Sequence, residues 1–411
     1  MLDVAVIGGG AAGFFAAINI TLTHPDKKVQ IFEKSSTCLG KVKISGGGRC
    51  NVTHHCFDPV ILSKYYPRGQ KELISVFNRF NPSHTIAWFE THGVKLKTES
   101  DGRMFPVTDD SQTIIDCFMD ICKARKIVVQ TRCGIKSIVK KETYFELHTE
   151  QAIIQAKKVV VSSGSSEVFW NMLAKMGHTI VPPVPSLFTF NIKNDLIEDL
   201  PGLSVPNAAV KLAIEKAILK QYKLSEADCT QSGPLLITHW GLSGPAILKL
   251  SAVAARILHH LNYRFRIQIN FSRLKQEETL QFLQNFKSQN TRKQIINTPL
   301  FDIPARWWQR LHALTFSSTY ITWSDISKND LNRLAQHLCA YELEVDGKST
   351  FKDEFVTAGG VDLKEVDFKT MESKILPGLF LAGEVLNIDA LTGGFNFQAA
   401  WSEAWVISQS I

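Results

Sequence analysis

The chain has 411 residues, 45% of them hydrophobic, with 46 Lys and Arg against 39 Asp and Glu, a formal charge of +7 and a pI near 8.9. Such length and apolar content fit a globular protein of two or three domains. The basic excess suits an anionic ligand and, being mild and spread along the chain, does not on its own argue for a nucleic-acid partner.

No 18-residue apolar run is present, and the N-terminus enters an apolar strand within three residues, without a basic flank and cleavage site. The expectation is a cytoplasmic protein with no membrane association. Eight cysteines at irregular spacing read as reduced thiols.

Residues 4 to 17 are VAVIGGGAAGFFAA. Leu2 to Ile7 reads as a buried parallel strand, Ala11 to about Thr23 as the helix behind it, and Val29 to Phe32 as the next strand, ending at Glu33. Gly8 permits a tight turn, Gly10 lets a pyrophosphate approach the backbone, and Gly13 lets helix and strand pack. The free N–H groups of Ala11, Ala12 and Gly13 then face phosphate, while Glu33, followed by Lys34, accepts from ribose hydroxyls. This pattern predicts dinucleotide binding without separating NAD from FAD.

A second glycine cluster, GKVKISGGGRCNVTH, occupies 40 to 54. Lys41, Ser45, Gly47, Gly48, Arg49, Cys50 and Asn51 read as a loop lying along a cofactor, its amides and guanidinium meeting phosphate. His54, His55, Cys50 and Cys56 are not read as a metal site, because adjacent histidines rarely face one ion and no second ligand pair is apparent.

Helical patterns follow at 70–80, 83–92 and 111–126, the last started by Asp109 and Asp110. On it Cys117 and Cys122 sit five apart, which predicts one in the core and one off that face. Strands are expected at 127–131, 135–140, 144–147 and 158–161, the last ending in Ser162-Ser163-Gly164. PPVPSLF, 182 to 188, reads as a linker, because prolines block regular structure.

From 187 to 272 the pattern turns to strands, with alternation in KLAIEKAIL and RFRIQINF around a helix at ILKLSAVAARIL. THWGLSGP, 238 to 245, contains His239, a candidate for moving protons or holding a substrate oxygen. From 273 to 340 the pattern is helical, with Trp307, Trp308 and Trp323 as core or interdomain residues, and the Asp346-Gly347 turn leads back to the first domain. The expected division is 1–186, 187–272 (β-rich), 273–345 (helical) and 346–411.

PGLFLAGEVLNIDALTGGFNFQAAW, 377 to 401, reads as a strand (Leu379 to Ala382), a Gly383-Glu384 turn, a loop ending in Gly394, and a helix from Phe395. The helix N-terminus can direct its dipole at an electron-rich ring.

DVAVIGGGAAG, SGGGRCN, DGRMFP (101 to 106), GPLLITHWGLSGPAIL (233 to 248), TAGGV (357 to 361), TMESK (370 to 374) and PGLFLAGEVLNIDALTGGFNFQ together resemble the BaiN/YhiN family of FAD-dependent flavoproteins, also called the aminoacetone oxidase family. The resemblance implies an α/β, Rossmann-like FAD-binding domain interrupted by an insert with a β-rich and a helical part. It implies that Gly8, Gly10, Gly13 and Glu33 hold the ADP half, that the 41–51 residues lie along pyrophosphate and flavin, and that Gly383, Glu384, Gly394, Phe395, Asn396 and Phe397 close the flavin side. The turn at Gly164 resembles the place where related flavoproteins carry Ala-Thr-Gly-Gly, with serines here at three positions.

The expected activity is FAD-dependent hydride transfer between a small organic substrate or NAD(P)H and the bound flavin, then to oxygen or another acceptor. A second GxGxxG is missing, so NAD(P)H would act as a transient donor without a Rossmann domain of its own. What the resemblance implies about substrate is divided between an aminoketone and the double bonds of an unsaturated 3-oxo steroid. The alternatives are an RNA-interacting flavoprotein of the tRNA-modifying type and a flavin-binding sensor without turnover.

Overall fold

The computed structural model describes residues 1–349 and 356–411, which form two compact units, Met1–Val184 with Lys352–Ile411, and Pro185–Phe351. In the first unit five parallel strands run in the order Leu379–Leu381, Ile153–Val161, Leu2–Ile7 (β1), Val29–Phe32 (β2) and Val128–Gln130. Val4, Ala5 and Val6 are fully buried, as an apolar strand covered on both faces requires. β1 pairs with β2 through Val4↔Val29 and with its other neighbour through Val4↔Lys158, so both adjoining strands end beside the glycine turn that follows Ile7.

Helix Ala11–Thr23 (α1) packs beside the C-terminal helix Phe395–Ser408, with Phe15 5.3 Å from Trp401 between ring centroids. Both helices are apolar around most of their circumference, which fits their burial on opposite sides.

The second unit is a seven-stranded antiparallel sheet in the order Tyr341–Asp346, Arg264–Asn270, Ser204–Ala213, Thr230–Thr238, Gly241–Ser243, Thr189–Asn191, Lys348–Ser349. Helices Ala305–Thr315 and Lys328–Cys339 share one hydrophobic core with it. Trp307, Trp308 and Trp323 all belong to that core.

Three local expectations are corrected. The proline-rich stretch is a strand, Ile180–Ser186, paired among the described residues with Val356–Val361 alone; prolines are tolerated there because a two-stranded ribbon consists of edges. KLAIEKAIL is split between the end of Ser204–Ala213 and the short helix Lys216–Gln221, so its alternation is that of a strand for only its first three residues. Cys117 and Cys122 are both buried, because α1 and the neighbouring strands enclose more than one face of helix Gln112–Ala124.

Candidate functional site

The turn after β1 gives each glycine a separate steric reason. Gly8 has φ +105°, and a Cβ on it would lie 2.4 Å from Ser162 O. A Cβ on Gly13 would lie 2.0 Å from Gly8 O, so the helix can approach the strand only without one. A Cβ on Gly10 would meet no protein atom within 4 Å. The side of Gly10 that faces away from the protein is therefore where a ligand backbone would approach.

Gly10 is also the N-cap of α1 and makes no side-chain cap, so the first N–H groups, of Ala11, Ala12 and Gly13, are presented from the helix end. Glu33, at the end of β2, is aimed across the turn: its carboxylate accepts from Gly9 N–H at 2.8 Å and from Ser35 N–H at 2.8 Å. Lys34 beside it is exposed. Sequence reasoning passed over Gly9, although a Cβ there would lie 2.9 Å from Cys38 Sγ and 3.0 Å from Glu33 Cβ. Its signal was the unbroken run of three glycines.

The second cluster is a kinked helix, Gly40–Gly48 (α2), rather than a loop throughout. Ser45, Gly46 and Gly47 leave helical geometry, and Ser45 closes the kink by donating to Val42 O at 3.0 Å and accepting Cys50 N–H at 3.0 Å. Gly47 and Gly48 have φ of +70° and +84°, and a Cβ on either would meet nothing within 4 Å, as at Gly10. Cys50 is fully buried and burial pushes its thiol up to about 12, so it is a packing residue here and not a nucleophile.

Arg49 lies with its guanidinium 2.6 Å from Glu99 and 3.5 Å from Asp109, over the ring of Phe105 at 4.0 Å. Its charge is met within the protein, which makes it a strut between this cluster and DGRMFP. Lys41 instead pairs with Glu384 of the C-terminal segment.

That segment closes onto the second cluster. With the Asn51 amide turned to satisfy both ends, its oxygen accepts Gly394 N–H at 2.9 Å and its nitrogen donates to Thr53 O at 3.1 Å. Gly394 has φ +89° and starts helix Phe395–Ser408. Phe395 stacks between neighbours, 4.2 Å from Tyr65 and 4.6 Å from His54, and its carbonyl accepts Tyr66 Oη at 2.6 Å. Asn396 holds Ala390 N–H at 3.0 Å, and Phe397 stacks on Trp401 at 5.5 Å. Arg68 and the fully buried Asp389 form a further ion pair under this loop.

Gly383 follows the last parallel strand. Its N–H donates to Glu403 Oε2 at 2.6 Å, and a Cβ on it would lie 3.3 Å from Ala12 Cβ. Gly164, φ +64°, belongs to the turn that Ser162 ties to β1 by donating to Ile7 O at 3.0 Å. A Cβ on Gly164 would lie 3.9 Å from Glu384 Oε2, so the three glycine turns meet around one place. Tyr65, Arg68, Asp389 and Glu403 were missed from sequence because each acts through a partner more than 15 residues away.

His239 lies outside the first unit. It belongs to the second unit, exposed in the turn between Thr230–Thr238 and Gly241–Ser243.

A dinucleotide fits these residues: an uncapped helix N-terminus, an oriented carboxylate twenty residues on, and three glycines whose open sides leave room for a ligand backbone. Among the described residues no group of three His, Cys, Asp or Glu side chains is placed to hold a metal. No helix is long and apolar enough to cross a membrane.

A family model described as HI0933-like protein Rossmann domain matches residues 2–410. The chain is 26% identical to a ribosomal RNA dihydrouridine synthase of Escherichia coli (strain K12), over 100% of this chain and 98% of that protein. It is 25% identical to a 3-dehydro-bile acid delta(4,6)-reductase of Clostridium scindens, over 100% of this chain and 99% of that one. In fold it is similar to a 3-ketosteroid-delta4-(5alpha)-dehydrogenase of Rhodococcus jostii RHA1, with a TM-score of 0.50 at 10% identity, covering 100% of this chain and 97% of the other.

Proposed function

Because the chain belongs to the HI0933-like family of FAD-binding Rossmann flavoproteins, we propose that it is an FAD-dependent reductase of carbon–carbon double bonds conjugated to a carbonyl, and that its substrate is a uracil ring in RNA. The family match carries the flavin half, and the steric split among Gly8, Gly10 and Gly13, two closed by protein and one open, supports a dinucleotide at this turn. The substrate half is supported by chemistry common to the two relatives' names. Making a dihydrouridine and reducing a 4,6-diene of a 3-oxo steroid both add two hydrogens across a double bond polarised by a carbonyl.

RNA is favoured over a small enone by where the charge lies. Residues 185–351 carry 19 Lys and Arg against 14 Asp and Glu, a net +5 of the chain's +7. The mild excess that looked dispersed along the sequence is concentrated in the unit that does not hold the glycine turns.

Bound FAD supplies a two-electron carrier that delivers hydride to an electron-poor carbon. The chain's own residues bind and orient it. α1 would meet the pyrophosphate with its N–H groups, Glu33 would accept from the ribose hydroxyls, and Gly47, Gly48, Lys41 and Glu384 would line the path toward the ring. The helix N-terminus at Phe395 favours negative charge nearby. His239 is proposed as the proton-handling group of the second unit. Overall, one NAD(P)H and one proton are consumed and one double bond becomes single.

The test is anaerobic. Protein reduced with NADPH or NADH is mixed with unmodified ribosomal RNA transcribed in vitro, and nucleosides are analysed by mass spectrometry for dihydrouridine. Dihydrouridine at a discrete position, with flavin reoxidation, is the expected result. Reoxidation by a conjugated enone but not by RNA would move the substrate to the small-molecule class, and a protein that retains no FAD would overturn the reading.

A further inference from the structure

Seven of the eight tryptophans are buried or half-buried; Trp240 is 60% exposed. It occupies, with the exposed His239, the two-residue turn between strands Thr230–Thr238 and Gly241–Ser243. Leaving an indole in water forgoes the burial that tryptophan ordinarily contributes.

The turn beneath these two rings is held from several directions. Trp240 O accepts Ile192 N–H at 3.0 Å, Trp240 N–H donates to Thr238 Oγ1 at 3.3 Å, and Thr238 Oγ1 donates to Gly241 O at 3.2 Å. Gly241 has φ +147°, and a Cβ on it would lie 2.2 Å from Phe190 O, so strand Thr189–Asn191 lies directly against it. The backbone is therefore fixed while both aromatic side chains stand outside the sheet. The exposed Lys193 follows immediately on the residue that holds the Trp240 carbonyl.

We propose that the His239–Trp240 turn is a stacking platform for an unpaired base of the RNA on which the enzyme acts, an inference that rests on the RNA reading above. Indole offers a large face at little conformational cost, every base has a face to match it, and the surrounding unit carries the net positive charge that a phosphate chain needs. Paired A-form RNA hides its base faces, so the platform selects loops and bulges.

The experiment compares wild type, Trp240→Ala and Trp240→Phe as FAD-loaded full chains. Binding to two transcribed probes is measured at fixed salt: a hairpin with an unpaired uridine-rich loop, and a blunt duplex of equal length. Loss of about one base stack weakens hairpin binding by roughly fivefold or more in the alanine variant, with phenylalanine restoring most of it. Duplex binding, FAD content and the rate of flavin reduction by NADPH stay at wild-type values. Wild-type binding to the hairpin with an unchanged alanine variant overturns the platform while leaving the RNA reading intact. Wild type that binds neither probe overturns both. A change in sedimentation mass between wild type and Trp240→Ala would instead make the turn a contact between copies of the chain.

Discussion

His178 Nδ1 lies 3.1 Å from a carboxylate oxygen of Glu365, inside the first unit. On its other side Nε2 meets Ser373 Oγ at 3.0 Å, so a serine, a histidine and a carboxylate stand in hydrogen-bonded sequence. The order is that of a hydrolytic triad, but Ser373 and His178 are each only 3% exposed, and Ser373 Oγ also accepts the N–H groups of Ile375 and Leu376. The triad is a tie between the strand Glu372–Ser373 and the chain after helix Glu167–Lys175, with TMESK as one of its ends.

Burial holds the His178 pKa below its ordinary value, although the Glu365 bond pulls it upward. The folded state thus resists a proton that the unfolded chain accepts near pH 6.5. Stability is present above that pH and is lost as pH falls through it, at up to about 1.4 kcal/mol per pH unit. Urea midpoints measured between about pH 7 and 5 are expected to fall for wild type and to be flatter for His178→Asn, itself less stable by about 1 to 2 kcal/mol at neutral pH. An identical slope in the variant would mean another group titrates.

The three turn glycines are expected to fail in different ways. Gly10→Val keeps folding stability within about 1 kcal/mol, because a Cβ there has no protein atom within 4 Å, but lowers FAD retention at least about tenfold by occupying the pyrophosphate's approach. Gly13→Ala drives a methyl into Gly8 O and costs about 3 kcal/mol or more of stability. Melting of the apoproteins and flavin content of the purified variants separate the two. Normal flavin content in Gly10→Val would show that the pyrophosphate lies elsewhere.

Asn51 joins two glycine loops that are more than 340 residues apart. Asn51→Ala leaves Gly394 N–H and Thr53 O without their side-chain partner, at about 1 to 3 kcal/mol in all. Part of that loss should appear as weaker FAD binding, roughly tenfold by fluorescence titration, since Gly394 starts the helix that closes this side. Gly394→Ala is expected to be worse, because φ is +89° and its methyl would lie 2.6 Å from Thr53 O.

These glycines also show how much of the molecule the sequence makes legible. β1, α1 and β2 follow the sequence to the residue, and helix Phe395–Ser408 begins where the pattern placed it, because a glycine turn between an apolar strand and an Ala-rich helix is a local requirement. The kink in α2 was hidden, since the break in geometry begins at Ser45, before the glycines, within a stretch whose first residues are helical. KLAIEKAIL misled because alternation persists across a strand-to-helix junction. The ion pairs of Arg49 were not legible, because Glu99 and Asp109 lie 50 and 60 residues on. Charge placement was equally opaque, because the division of the chain into units decides which excess counts.

Glu403 supplies the last expectation, and its sign is opposite to that of His178. The side chain is fully buried in the C-terminal helix; Oε2 holds Gly383 N–H, and Oε1 meets no protein partner among the described residues. Burial pushes its pKa up to about 8, against the pull of the Gly383 bond. The unfolded carboxyl ionises near pH 4.5, so between that pH and about 8 the unfolded state releases a proton that the folded state keeps. Stability from this group is full below about pH 4.5 and declines as pH rises toward 8. Glu403→Gln keeps an oxygen for Gly383 N–H and cannot ionise, so its melting temperature should exceed that of wild type by a margin that widens from about pH 6 to 8 and then levels off. Because Gly383 precedes the Glu384 that pairs with Lys41, FAD retention in wild type should weaken as pH rises through about 8, where the folded carboxyl ionises, and stay level in the glutamine variant. Parallel pH profiles for the two proteins would show that Glu403 is ionised within the folded chain, with a counter-charge that this environment does not supply.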